Sequence, residues 1–209
     1  MSRFWVALAA AAAIPASSFG ITVLTENFET PGNFIGPGWY RYVQGNDIPG
    51  WTVLHDGDGE RAYLMDDKRY VGTSIDFFDK QALMLNEGSG IQRTISLVAG
   101  ETYQVSLWGY TNGKGAYGVE VSLGGVLETL FFDHFNTGLT ERTFTFTAAQ
   151  TGDTLLKIWN PDDPTADYKC RAIDNLSIVS VPDGGASLML FGLGLGSLFC
   201  VRRFLPSRR

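Results

Sequence analysis

From residue 101 onward the chain repeats one short pattern, and that pattern fixes the fold class. Residues 101–111 read ETYQVSLWGYT, with Tyr103, Val105 and Leu107 on one parity and Gln104, Ser106 and Trp108 on the other. Residues 117–123 repeat it with Tyr117, Val119, Val121 and Leu123. Residues 142–147 set Phe144 with Phe146, 154–159 set Leu156 with Ile158, and 172–181 set Leu176 with Ile178. A period of two over about 5–8 residues, with Gly, Asn or Asp between the runs, marks half-buried strands. Gly124-Gly125 makes a hairpin turn between 120–123 and 126–132. No stretch between Ile21 and Ser180 offers a helix of ten residues or more. Many short antiparallel strands at this spacing predict an all-β chain, an antiparallel β-sandwich or jelly roll.

The first half is less regular. Residues 24–29 and 50–54 are expected strands, as are 81–86 and 91–98. Residues 33–50 are rich in Gly, Pro and aromatics and are expected to loop across one end. Residues 56–80 are charged, with little periodicity, and read as a long loop.

Both ends of the chain carry segments of another kind. Met1 to Gly20 reads MSRFWVALAAAAAIPASSFG: Arg3, an apolar run from Phe4 to Ile14, then Pro15, Ala16, Ser17 and Ser18. A basic start, a short apolar run and small residues make a signal peptide, so 1–20 is expected to be removed on export. At the other end, Val181, Pro182, Asp183, Gly184 and Gly185 lead into an uncharged run over 184–201, followed by Arg202, Arg203, Arg208 and Arg209. That run is long enough for a transmembrane helix, and the arginines mark its cytoplasmic side. The whole segment, 181–209, resembles the PEP-CTERM class of bacterial sorting signals. Its motif is similar to the VPDSG variant, with Gly184 where that variant has Ser. The resemblance implies an exosortase-type membrane enzyme as partner, cleavage near the motif, and delivery to the cell surface or an extracellular polysaccharide matrix. Three segments follow: a signal peptide over 1–20, a β-sandwich domain over 21–180, and a C-terminal sorting signal over 181–209 with its transmembrane helix over 184–201.

Charge narrows the partners of the middle segment. All the acidic residues but Asp183 fall within it, while five arginines lie outside it, which leaves it a net charge of about −10. An acidic domain argues against nucleic-acid binding, which needs a basic face. Cys170 is its one cysteine and Cys200 lies in the apolar tail, so the domain is expected to fold without an internal disulfide.

The order of short motifs along 26–179 carries a second resemblance. Asn27-Phe28-Glu29 is followed by Pro31 and by Gly50-Trp51. Gln81-Ala82-Leu83-Met84-Leu85-Asn86 and Ile91-Gln92-Arg93-Thr94-Ile95 come next. Ala99-Gly100-Glu101-Thr102-Tyr103 opens an alternating strand, and Ile173-Asp174-Asn175-Leu176-Ser177-Ile178 closes the series. This arrangement looks like the galactose-binding-like jelly-roll domains. The resemblance implies a sandwich that often binds carbohydrate, and a structural calcium held by Glu26 or Glu29 with Asp174. A separate calcium candidate is read from the residues themselves. Asp56, Asp58 and Glu60 alternate with glycines like the start of an EF-hand loop, but Arg61 stands where such a loop needs Gly.

Catalytic patterns are thin. The two histidines, His55 and His134, have no nucleophile-elbow motif near them, and no His/Cys spacing suits zinc. Carboxylates are abundant, but a glycosidase pair is defined by separation, which a sequence does not show. Aromatics are the better ligand signal. Trp39 and Tyr40 lie in the Gly/Pro-rich stretch, and Trp108 stands off the face of Tyr103 and Leu107. The sequence therefore reads as an exported, non-enzymatic β-sandwich that binds extracellular polysaccharide through Trp39, Tyr40 and Trp108. A purely structural matrix protein and a hydrolase of matrix sugars are the alternatives.

Overall fold

The structure is a computed structural model, and it describes residues 20–30, 40–55, 62–66, 81–111, 117–133, 139–161 and 170–181. Within these residues it is all β. The strands are β1 (Thr22–Glu26), β2 (Tyr40–Val43), β3 (Thr52–His55), β4 (Ala62–Asp66), β5 (Gln81–Leu85), β6 (Ser89–Leu97), β7 (Thr102–Thr111), β8 (Tyr117–Leu123), β9 (Val126–Phe132), β10 (Thr140–Thr147), β11 (Gly152–Asn160) and β12 (Arg171–Val181). They form two antiparallel sheets. One has seven strands in the order β10-β7-β12-β5-β4-β2, with β1 added to β12; the other has five, in the order β3-β6-β11-β8-β9.

The alternation of the sequence becomes the two faces of each sheet. Tyr103, Val105 and Leu107 of β7, Ile173, Leu176 and Ile178 of β12, and Ile91, Val121 and Ile158 of the five-stranded sheet all enter one core between the sheets. Parity then sends Ser106, Trp108 and Tyr110 to the outer face of the seven-stranded sheet. That face is not uniformly polar. Tyr63, Met65, Ala82, Met84, Tyr110 and Ala172 form a second buried cluster on it.

Two strands lie where the sequence predicts loops. β4 falls inside 56–80 and β2 inside 33–50. β2 is only four residues long and carries exposed Arg41 and Tyr42, too short a run for alternation to mark it. Ala62-Tyr63-Leu64-Met65 is buried on both faces, so it reads as a short continuous apolar run with no alternation. The charges on either side of that run then hide it. β5 is buried at all five positions for the same reason.

β12 organises the seven-stranded sheet. On one edge it pairs with β7 along its length; on the other it pairs first with β5, through Arg171–Ile173, and then with β1, through Leu176–Val179. Between those two partners the β7 ladder shifts register between Asp174 and Ser177. Asn175, at φ 44°, is the extra residue of this bulge.

The sheets are tied together at the β1 end by Glu26. Its Oε1 accepts from the Phe28 N–H at 3.0 Å and its Oε2 from Trp51 Nε1 at 2.9 Å. Trp51 belongs to the lead-in to β3 of the other sheet and is fully buried. The Arg93 guanidinium of β6 lies 5.1 Å from the Trp51 ring centroid and 4.0 Å from Glu26 Oε2. At the opposite margin Arg142 of β10 donates through Nε to the Phe131 carbonyl at 2.7 Å and pairs with Asp133 at 3.1 Å. The side chain thus occupies an acceptor on edge strand β9, a common way to blunt an open edge.

Candidate functional site

The outer face of the seven-stranded sheet can be read rung by rung from its registers. One rung runs Tyr110, Ala172, Met84, Tyr63, Tyr42 across five strands. It is apolar and buried except at the Tyr42 end, where the ring stands half exposed and meets Tyr63 edge-on at 6.1 Å. The next rung holds Glu141, Trp108 and Asp174. The third is made of hydroxyls: Thr143, Ser106, Ser177 and Thr25. Trp108 therefore stands where a greasy strip gives way to a row of hydroxyl groups.

A cavity of about 510 Å³ opens at that boundary. Trp108 is its one aromatic wall among the described residues; Ser106, Ser177 and Thr25 form the floor, and Asn27 and Asn175 the rim. Each of these polar groups has a local reason to be there. Ser106 and Ser177 are the outward positions of strands whose inward neighbours fill the core. Asn27 follows the last residue of β1, and its Oδ1 accepts from the Glu29 N–H at 3.3 Å. Asn175 sits in the left-handed region at the bulge, a conformation Asn accepts more readily than other non-glycine residues, and its N–H donates to Asp174 Oδ1 at 2.7 Å.

Chemically the cavity offers one flat π-face next to neutral donors and acceptors. No lysine, arginine or histidine lines it among the described residues. Glu26 also borders it, but both of its oxygens already accept hydrogen bonds, from Phe28 and Trp51.

The residues expected to bind ligand are only partly brought together. Trp108 is in the cavity. Tyr40 opens β2 opposite Met65, on the far side of the same sheet, four strands from β7 or roughly 19 Å at the usual strand spacing. Trp39 lies outside the described residues, as do Asp56, Asp58, Glu60, His134, the segment 1–19 and the stretch 182–209 that includes Pro182, Asp183, Gly184 and Gly185. Val181 is the last residue of β12.

The carboxylates expected to hold calcium point in different directions. Glu26 pairs with Leu176 on the core side of the sheet, while Asp174 pairs with Trp108 on the outer side. Glu29 Oε1 accepts from the Gln81 N–H at 2.8 Å. Among the described residues no three His, Cys, Asp or Glu side chains gather as a ligand set. As they stand, Glu26 and Asp174 do not fit a shared calcium site. Cys170 is half buried and in no disulfide, and its Sγ donates to Asn86 Oδ1 at 2.8 Å. His55 closes β3 on the surface.

Sequence reasoning missed the hydroxyl row, Asn27 and Asn175. A signal for the row was present, since Gln104, Ser106 and Trp108 share a parity. The signal for Asn175 was Asp174-Asn175 in the middle of an otherwise apolar strand.

No family model matches the chain, and no curated protein matches it. Among solved structures it is similar to the CBM22-1 xylan-binding domain of Paenibacillus barcinonensis Xyn10C, at 14% identity and a TM-score of 0.46, over 79% of this chain and 97% of that one. It is also similar to the CBM22-1 and GH10 modules of Clostridium thermocellum endo-1,4-β-D-xylanase 10B, at 16% identity and a TM-score of 0.44, over 78% of this chain but only 29% of that one. A third similarity is to the K1 cleaved adhesin domain of Lys-gingipain from Porphyromonas gingivalis W83, at 11% identity and a TM-score of 0.45, over 76% and 98% of the two chains.

Proposed function

We propose that this protein is an exported, non-enzymatic β-sandwich that binds polysaccharide at the cell surface or in an extracellular matrix. The observation that carries the binding reading is the setting of Trp108, a half-buried indole beside a row of serine and threonine hydroxyls in an open cavity. An aromatic face stacks on the apolar C–H face of a pyranose ring. Ser106, Ser177, Thr25, Asn27 and Asn175 exchange hydrogen bonds with the ring hydroxyls. Each such bond replaces one to water, so its net worth is about 0.5–1.5 kcal/mol, and affinity comes from several acting together. Glu26, the one acidic residue among the described lining residues, turns its carboxylate to the core side, where Phe28 and Trp51 hold both oxygens, so it presents no carboxylate to a bound sugar.

Export rests on the sequence: the signal peptide over 1–20, and the Val181-Pro182-Asp183-Gly184-Gly185 motif with its apolar run and arginines. An exosortase-type enzyme would recognise that motif, and the apolar run would hold the precursor in the membrane until cleavage. Mass spectrometry of the secreted chain tests this: a product ending near Val181 supports it, and a cytoplasmic full-length chain overturns it. Calcium is proposed for Glu29 with Asp174 and for Asp56, Asp58 and Glu60, and is tested by calorimetric titration together with melting in chelator.

The binding reading is tested by affinity electrophoresis of the purified full-length protein against a panel of neutral and acidic polysaccharides. Retardation by at least one of them, reversed by its soluble oligosaccharide, is expected. No retardation by any would refute the reading.

A further inference from the structure

We propose that the outer face of the five-stranded sheet is a second glycan-binding face, built on Trp159 and Phe131, so that one chain can tie two polysaccharide strands together. The face is defined by register. Trp159 stands between Gly90 and Glu120, and Phe131 stands opposite Gly118, all on the side of the sheet away from the core.

In both cases an aromatic residue is paired with a glycine. A Cβ added at Gly90 would lie 2.7 Å from Trp159 Cε3, and one added at Gly118 would lie 3.3 Å from Phe131 Cδ1. The Trp159 ring thus takes the space beside Gly90 and lies low against the sheet; at Gly118 the nearest atom is Thr129 Cγ2, with the Phe131 ring next to it. Phe131 is 52% exposed. The outward side of the Trp159 ring is met by the Lys157 ammonium, 4.2 Å from the ring centroid. That ammonium rests where the C–H face of a sugar would stack, and on binding it would swing away to bond a hydroxyl.

The pattern of the face identifies its occupant. A protein partner would need a contiguous apolar centre from which charges are depleted. Here the two rings are two strands and two residues apart, about 12 Å at normal sheet spacing, and Glu120 and Thr129 lie between them. Aromatic surfaces separated by hydrogen-bonding side chains suit an extended sugar chain, which offers apolar ring faces and hydroxyls in alternation. The cavity at Trp108 lies on the outer face of the other sheet. The two sites therefore face opposite ways, and two separate polymers could be held at once.

The test uses the full-length protein and a soluble polysaccharide that it retains. Viscosity and light scattering report cross-linking, and affinity electrophoresis reports binding. Wild type is expected to raise viscosity. Trp159→Ala and Phe131→Ala should each weaken cross-linking about tenfold, the effect of losing roughly one good contact, while keeping binding at Trp108. Trp108→Ala should keep residual binding that is lost when Phe131→Ala is added. Thermal melts identify any loss due to misfolding of the Trp159 variant, and Phe131, being half exposed, supplies the independent arm. The proposal is overturned if Phe131→Ala and folded Trp159→Ala cross-link like wild type, or if Trp108→Ala alone abolishes all binding. Should Trp108→Ala bind normally while the other two variants lose binding, the second face stands and the first falls. A chain that binds no polysaccharide overturns both.

Discussion

Trp108 and Asp174 face each other across the β7–β12 ladder, at the last pair before β12 steps out of register. On one side of this pair the outer face is a buried apolar strip; on the other it is a row of hydroxyls. The bulge that follows turns Asn175 to the rim of the cavity, so backbone conformation and site composition depend on one residue.

Asn175→Gly should therefore fold as well as wild type, because glycine accepts φ 44° freely. Asn175→Val should lose about 1–2 kcal/mol, the cost of a side chain branched at Cβ in the left-handed region, and should bind more weakly as the rim deforms. Urea melts of the two variants check this. Equal stability would show that the bulge does not need a left-handed residue.

Glu26 gives a second prediction. Replacing it by Ala leaves the buried Trp51 Nε1–H and the Phe28 N–H without their acceptors. Each unsatisfied donor costs about 1–3 kcal/mol, and in a domain of this size the midpoint falls about 2–4 °C for each kcal/mol. Glu26→Gln keeps one carbonyl acceptor and should fall between the two. Differential scanning calorimetry of the three proteins is the check, and identical midpoints would remove Glu26 as a tie between the sheets.

Tyr103 predicts the alkaline limit of stability. Burial pushes its phenol above the ordinary value of 10.0; the Val98 N–H bond pulls the other way, and the hydrogen bond to Glu101 and its charge add to the rise. A phenol whose pKa is higher folded than unfolded contributes stability that is complete below about 10 and is lost as the pH rises through the folded value. Wild type should thus lose stability between pH 10 and the folded pKa more steeply than Tyr103→Phe. Urea midpoints across the alkaline range decide it, and parallel curves would count against a buried neutral phenol.

Gly90→Ala tests how the five-stranded sheet is packed. The added Cβ would sit against the Ile158 carbonyl oxygen as well as 2.7 Å from Trp159 Cε3, so the strands must part even if the indole lifts. Overpacking of this kind costs about 1–3 kcal/mol. Denaturant unfolding reads the loss, and a neutral effect would mean that β6 and β11 separate at Gly90 without cost.

How much of this was legible in the sequence depended on what surrounds each strand. β7, β8, β10 and β11 send alternate residues into the core and leave most of the others less buried, so period two marks them. β4 has no solvent face over Ala62–Met65, and its signal was lost among charges. Trp108 could be picked out because it breaks the parity of the core residues on its own strand. Its partners could not, since Ser177 and Thr25 meet Ser106 only through pairings of β12 with β7 and β1, which join residues far apart in the chain. Glu26 was legible as an unusual acid near the first strand. Its contacts reach Trp51 and Arg93 on the other sheet, and no local pattern encodes how two sheets stack.

The most direct test of the account is the binding of a retained polysaccharide by wild type and by Trp108→Ala, measured by affinity electrophoresis alongside thermal melts. The account predicts that the substitution weakens binding about tenfold or more, equivalent to roughly 1.4 kcal/mol, with the fold intact. A folded Trp108→Ala protein that binds as tightly as wild type would contradict it.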